Sequence, residues 1–227
     1  ASARIHDLVS KGWAFFARDG DEEYEMDWSA YFVPRSAIDG PSLMVGSETH
    51  PSEADEHPPS KTSTVVKTYL EMHDPGQLRP KRSTDSRFQV LEASAGQWEF
   101  NRFLYHWVGS DWSWTDKHSW SDERWMTYVR SESLRTFVGY RDGSPVGYFE
   151  LLAEGGEVEI AYFGLTPSFI GKGLGGVLLT SAIEDAWRLE PSRVWVHTCT
   201  LDHPAALPNY LSRGMLVFRT EAKVSDQ

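Results

Sequence analysis

The stretch Leu165-Thr166-Pro167-Ser168-Phe169-Ile170-Gly171-Lys172-Gly173-Leu174-Gly175-Gly176 sets three glycines at alternate positions and a fourth beside the last. Glycine lets a backbone turn tightly and bring its N–H groups close to a ligand. The apolar residues Leu174, Val177, Leu178, Ala182, Ile183, Ala186 and Trp187 recur with a helical period, which predicts a helix over 173–188. The first N–H groups of a helix are unpaired and carry partial positive charge. With Lys172 beside them, they form a cradle for phosphate. A ligand-free turn needs only one or two glycines.

Three cofactor classes use such cradles. Gly171-x-Gly173-x-x-Gly176 has the spacing of a dinucleotide fingerprint. That motif follows its strand at once and is answered by an acidic residue at the end of the next strand. Here five residues separate Leu165 from Gly171, and Val194–Cys199 ends in no acid. A P-loop needs Gly-Lys-Ser/Thr, which does not occur. Coenzyme A remains: its pyrophosphate fits the loop, and its pantetheine arm can lie along the preceding strand. A dinucleotide-dependent oxidoreductase is the alternative enzyme, and a non-catalytic acyl-CoA sensor is the alternative from another class.

Residues 158–176 resemble the acetyl-CoA-binding motif of the GNAT N-acetyltransferase superfamily, a strand followed by Arg/Gln-x-x-Gly-x-Gly/Ala at the head of the central helix. Gly173 and Gly175 take the two glycine positions, and Ile170 stands where Arg or Gln is usual. Downstream, Ala206, Tyr210 and Gly214 match the family's Asn-x-x-Ala-x-x-x-Tyr-x-x-x-Gly-Phe ending, while His203 and Met215 depart from it. The resemblance covers residues 87–221. It implies the GNAT fold, of the mixed α/β (α+β) class, with a mostly antiparallel central sheet flanked by helices. It implies acetyl-CoA as co-substrate, no metal, and transfer to a small amine that is amino-acid-like or otherwise cationic. Phe163, Gly164, Leu165, Ile170, Gly171, Lys172, Gly173, Leu174, Gly175, Gly176 and Asn209 are the residues expected at the cofactor.

Amide formation from a thioester needs a deprotonated amine and donors for the tetrahedral oxyanion. Glu159 is the expected base. It lies on the strand before the loop, and its spacing to the glycines resembles that of the glutamate base in the superfamily's histone acetyltransferases. Glu157 and Glu150 are fallbacks. The resemblance makes Tyr210 the acid for the leaving thiolate; a phenol, titrating near about pH 10, donates a proton without first being ionised. It also implies an oxyanion donor among the backbone N–H groups of Phe163–Leu165. His197, Cys199 and His203 raise metal or thiol chemistry, with His197 and Cys199 on one strand face. No fourth ligand is evident, and a lone Cys is commonly a small buried hydrophobe. The serine-hydrolase pattern Gly-x-Ser-x-Gly is missing.

Six of the ten Trp fall between Trp98 and Trp125. Trp112 and Trp114 lie in the stretch Gly109–Trp120 with Asp111 and Asp116. Aromatic faces with carboxylates suit an amine cation. In GNAT enzymes the first two helices and their connection wall the acceptor site, so the resemblance implies Trp112, Trp114, Trp120, Glu150, Tyr162 and His197 on the acceptor side. Trp98, Trp107 and Trp125 are expected on helix faces in the core.

The elements that must position these groups can be read from periodicity and turn chemistry. Strands are expected at Thr64–Met72, Phe88–Glu92, Val158–Leu165, Arg193–Thr200 and Met215–Thr220. Arg135–Tyr140 and Val146–Leu152 flank Asp142-Gly143, a hairpin signal. Helices are expected at Gly96–Val108, with Trp98, Phe100, Phe103, Leu104 and Trp107 on its apolar face, and at Ala205–Arg213, ended by Gly214. A short helix, Ser121–Val129, has Ser121 as its cap.

The chain has 227 residues and a net charge of −11. Residues 1–60 form an acidic N-terminal extension, with eleven acidic residues and only Arg35 basic over 19–56; residues 61–227 form the acyltransferase domain. Such a balance disfavours nucleic acid. It attracts a cationic small molecule more readily than an anion, though net charge speaks first to solubility. Trp13, Phe16 and Trp28 imply that the extension packs on the core or on a second subunit, so a homodimer is among the partners considered. Ser47–Ser60, with three prolines, reads as a linker. No apolar run approaches a membrane span. No signal-peptide core follows Ala1-Ser2-Ala3-Arg4, and the one cysteine, Cys199, allows no disulfide within the chain. The expected compartment is the cytoplasm.

Overall fold

Alternating β-branched and aromatic residues build a seven-stranded sheet in the C-terminal part of the chain. The structure, a computed structural model, describes residues 62–226, all within the second of two units, Pro58–Gln227. The acidic extension and its linker lie outside the described residues. The strands are β1 (Thr62–Met72), β2 (Phe88–Glu92), β3 (Leu134–Arg141), β4 (Ser144–Glu154), β5 (Glu157–Leu165), β6 (Arg193–Cys199) and β7 (Leu216–Asp226). Their order across the sheet is β2-β3-β4-β5-β6-β1-β7. All neighbours are antiparallel except β5 and β6. Asp142 and Gly143 take φ of 51° and 76°, the turn whose twist matches paired strands, and so join β3 to β4.

Helices cover both faces. These are α1 (Trp98–Gly109), α2 (Asp122–Val129), α3 (Gly175–Trp187) and α4 (Ala206–Ser212). As a parallel neighbour of β5, β6 needs a crossover, and α3 supplies it. Leu178, Leu179, Ala182, Ile183 and Ala186 of α3 bury against Leu70, Leu151, Val158, Ile160, Val194 and Val196 of the sheet. Each fully buried Leu or Ile contributes on the order of 2 kcal/mol. On the opposite face, Leu104 and Val108 of α1 pack on Val138 and Tyr148. Ser121 caps α2 by accepting from the Arg124 N–H at 3.3 Å.

The face of α1 differs from the expected one. Its buried residues are Asn101, Leu104, Tyr105, Val108 and Gly109, while Phe103 is half exposed and stacks on Trp107. The pattern misled because a polar residue faces inward: Asn101 donates to Glu150 Oε1 at 3.0 Å and to Thr136 at 2.9 Å. Trp125 is buried, as expected. No described helix is long and apolar enough to cross a membrane.

Candidate active site

Parallel pairing of β5 with β6 stops early. Glu157, Val158 and Glu159 pair with Arg193, Val194 and Trp195, and no further pair follows. Pairing of β5 with β4 continues to Leu165. Beyond Glu159 the side of β5 that faces β6 is therefore left without a strand partner. A cleft of about 840 Å³ opens there, lined by Ile160–Leu165 on one side and Val196, His197 and Cys199 on the other.

A bulge at Ala161 reverses the alternation of β5. Glu150 of β4 pairs with Tyr162, and Leu151 pairs with Ile160, so Ala161 is the extra residue. Ile160 and Phe163 both pack toward α3, whereas Tyr162 joins the cluster under α1. This places Tyr162 on the same face as Glu159.

The glycine loop forms one end of the cleft. Gly171 and Gly173 take φ of 77° and 76°, a region other residues rarely enter, and both line the cleft with Ile170, Gly175 and Gly176. The N–H groups of Gly173, Leu174, Gly175 and Gly176 have no acceptor among the described residues. They can donate to a phosphate at the head of α3. Leu174 buries its side chain and offers only its backbone. Lys172, expected at the cofactor, instead holds its ammonium over the Phe169 ring at 5.0 Å and does not line the cleft. The cation at the loop is Lys81, whose N–H donates to Thr180 Oγ1 at 2.9 Å and so draws the 79–87 connector onto α3. A Cβ on Gly176 would meet Arg213 Nη1 at 2.7 Å and Lys81 Cδ at 2.8 Å, so the loop has two cations closely apposed. Asn209 lines the cleft beside it.

Midway along the cleft stand the acid–base candidates. Glu159 is partly buried and does not line the cleft, and its Oε1 lies 3.2 Å from His197 Nδ1. His197 does line it. Tyr210 of α4 reaches the cleft from the α3 side, with its ring 6.1 Å from that of Phe163. Burial, and then the nearby Asp202 carboxylate, push the Tyr210 phenol well above its usual range. Its hydroxyl makes no hydrogen bond among the described residues. The fallback Glu157 is taken up by Arg193, which donates to it at 2.6 Å.

Trp112, Trp114, Asp116 and Tyr162 wall the other end. Trp112 meets His203 edge-on at 5.0 Å, and Trp114 meets Tyr162 edge-on at 5.1 Å. Asp116 accepts from Tyr105 Oη at 2.8 Å and from the Tyr162 hydroxyl. Two expected acceptor residues are absent from this wall. Glu150 is fully buried and engaged by Asn101, Lys117 and Tyr128. Trp120 packs on Trp125 and Tyr128, with its ring 5.2 Å from the Lys117 ammonium, and does not line the cleft.

The structure thus brings together the glycine loop, Phe163–Leu165, Asn209, Tyr210, His197, Tyr162, Trp112 and Trp114 along one cleft. Lys172, Leu174, Trp120, Glu150 and Glu159 do not line it, although Glu159 meets His197, which does. Sequence reasoning missed Lys81 and Lys117. The basic run Arg79–Arg87 was a signal for the first, but nothing in its spacing ties it to a helix beginning nearly a hundred residues later. Among the described residues, no three His, Cys, Asp or Glu side chains converge as a metal set.

Comparison with known proteins bears on the fold. No curated protein matches. A GCN5-related N-acetyltransferase from Kribbella flavida is 18% identical with a TM-score of 0.51, covering 73% of this chain and 60% of that one. One from Sphaerobacter thermophilus is 16% identical with a TM-score of 0.52, covering 73% and 54%. A functionally unknown protein from Staphylococcus epidermidis is 15% identical with a TM-score of 0.50, covering 72% and 62%. The chain therefore spans between about half and three fifths of the length of these structures. They show a shared fold, a mixed α/β architecture with a mostly antiparallel sheet flanked by helices. A sequence model described as the Acetyltransferase (GNAT) family matches residues 101–215. That span holds the diverging strands, the glycine loop and Tyr210, and the chain belongs to the acetyltransferase (GNAT) family.

Proposed function

We propose that this protein transfers an acetyl group from acetyl-CoA to the amine of a small cationic acceptor. The carrying observation is the single cleft that runs from a loop of unpaired N–H groups, past His197 and Tyr210, to a wall holding Asp116 and two Trp. The donor's pyrophosphate suits the N–H groups of Gly173–Gly176 with Lys81 beside them. Its extended arm suits the unpaired edge of β5, and a backbone N–H of Phe163–Leu165 is the donor for the oxyanion.

The acceptor nitrogen attacks the thioester carbonyl carbon, the C–S bond breaks, and the amine proton must leave. His197, held by Glu159, lies at the cleft and relays that proton; Glu159 acts through the imidazole. The departing thiolate takes a proton from Tyr210, which burial keeps protonated. Asp116 supplies the negative charge and Trp112 and Trp114 the rings that suit an ammonium on the acceptor.

Two measurements test the reading. Acetyl-CoA should raise the melting temperature and NAD should not. A panel of amines followed by free-thiol release should give turnover with some small cationic member. Stabilisation by NAD alone would sink the donor assignment. Stabilisation by acetyl-CoA without turnover on any amine, free or protein-borne, would leave an acyl-CoA sensor.

A further inference from the structure

Asp116 and Lys117 are adjacent in sequence and belong to different environments. Asp116 lines the cleft, whereas Lys117 is 2% exposed and lies behind the wall. The Lys117 ammonium sits 3.4 Å from Glu150 Oε2, and Glu150 is fully buried. Five aromatic rings surround it: Tyr128 at 3.7 Å, Tyr162 at 3.9 Å, Trp120 and Trp125 at 5.2 Å, and Tyr105 at 5.4 Å. This is an ammonium cage filled by the protein's own side chain. Burying a charge is costly unless it is paired, and each wall of this cage repays part of that cost. Burial lowers the affinity of Lys117 for its proton, and Glu150 and Asp116 oppose that effect.

The cage is wired to the acceptor wall. Tyr162 forms one side of the cage through its ring and holds Asp116 through its hydroxyl. Tyr105 does the same, and its oxygen also accepts the Lys117 backbone N–H at 3.2 Å. In the stretch from Ser110 to Trp120, Lys117 is the one buried residue; Trp114, partly buried, packs beside Tyr105 and Tyr148.

We propose that Lys117 is a positioning residue: caged behind the cleft wall, it pins the segment that carries Asp116, so that Asp116 can anchor the ammonium of the acceptor. The proposal rests on the reading of this cleft end as the acceptor site. Lys117 touches neither substrate; it acts through Asp116 and Tyr162.

Removing Lys117 alone orphans the buried Glu150 carboxylate and endangers folding. The test therefore uses Lys117→Met with Glu150→Gln, which removes both charges. The readouts are KM and kcat for the amine, with the melting shift by acetyl-CoA as control. The KM for the amine should rise at least tenfold, kcat should change less than threefold, and the acetyl-CoA shift should persist. Adding Asp116→Asn to this variant should cost little more, because two residues acting through one contact are non-additive. In Lys117→Ala, n-propylammonium should lower the raised KM, with product identified by mass so that acetylated propylamine is not counted. Trp120→Ala opens one wall of the cage and leaves every charge paired. It should raise KM about threefold and serves if the Lys117 variants do not fold.

An unchanged amine KM in a folded Lys117 variant, or in Trp120→Ala when those variants do not fold, overturns the proposal. So do effects of Asp116→Asn and of Lys117→Met with Glu150→Gln that simply add. If Asp116→Asn alone leaves the amine KM unchanged, or the unaltered protein turns over no amine, the acceptor reading itself fails and takes the proposal with it.

Discussion

His197 Nδ1 lies 3.2 Å from Glu159 Oε1, although the strand partner of Glu159 in the last β5–β6 register is Trp195, two residues before His197. The carboxylate is set back and the imidazole is at the cleft. If His197 relays the proton of the acceptor amine, the two groups act as one unit. Glu159→Gln and His197→Asn should each lower kcat on the order of 10²-fold, the lower range for a general base. The double variant should be scarcely worse than either single one. Steady-state kinetics with saturating acetyl-CoA checks this. A His197→Asn enzyme with full kcat would return the role to Glu159 alone.

Tyr210→Phe removes one oxygen from a side chain that packs with Phe163 and Met215 and is only 5% exposed. Its hydroxyl holds no protein partner among the described residues, so stability should change by less than about 1 kcal/mol. If the phenol protonates the leaving thiolate, kcat should fall by roughly 10- to 100-fold. Denaturation midpoints measured beside kcat separate the two effects.

Gly176→Ala places a Cβ 2.7 Å from Arg213 Nη1 and 2.8 Å from Lys81 Cδ. Both are parts of flexible side chains, so the fold should survive while the cations are displaced from the head of α3. The acetyl-CoA Kd should rise about tenfold, equivalent to about 1.4 kcal/mol. Lys81→Ala should weaken binding in the same direction and flatten its dependence on salt. Lys172→Ala should do neither, because its ammonium stands over Phe169. Titration calorimetry at two salt concentrations tests all three.

Burial is the first cause pushing the phenols of Tyr105, Tyr128, Tyr148, Tyr162 and Tyr210 upward. Above about pH 10 an unfolded chain sheds these protons while the native protein keeps them. Unfolding then releases protons, so stability falls as pH rises. Lys117, shifted downward, works in the opposite sense but is one group against five. Urea midpoints should decline between about pH 9 and 11, and tyrosinate absorbance should appear together with unfolding. Tyrosinate rising well before the loss of structure would contradict the burial of these rings.

Much of the fold was legible because local chemistry and tertiary demand agree. Asp142-Gly143 makes its hairpin, Ser121 caps its helix, and the apolar stripe of 174–187 buries where its period places it. The glycine loop was legible for the same reason: positive φ at Gly171 and Gly173 is a local requirement written in residue type. The acceptor side was less legible. Glu150 looked like a site carboxylate, yet three polar partners from α1, α2 and their connection draw it into the interior. Lys172 looked like the cation of the glycine loop, but its ammonium lies over Phe169, and a connector far upstream brings Lys81 to the loop.

By itself the sequence determined the order of elements and the glycine loop at the head of α3, since these depend on periodicity, turn residues and backbone freedom over short stretches. Only the tertiary structure decided which face of β5 carries Tyr162, because a single bulge at Ala161 reverses the alternation and has no residue signature. Only it decided that Glu159 stands behind His197, and that Lys117 fills a cage of rings drawn from three separate stretches of chain. Such relations arise where strands diverge and distant segments meet. They are set by packing across the sheet, which no local pattern of residues encodes.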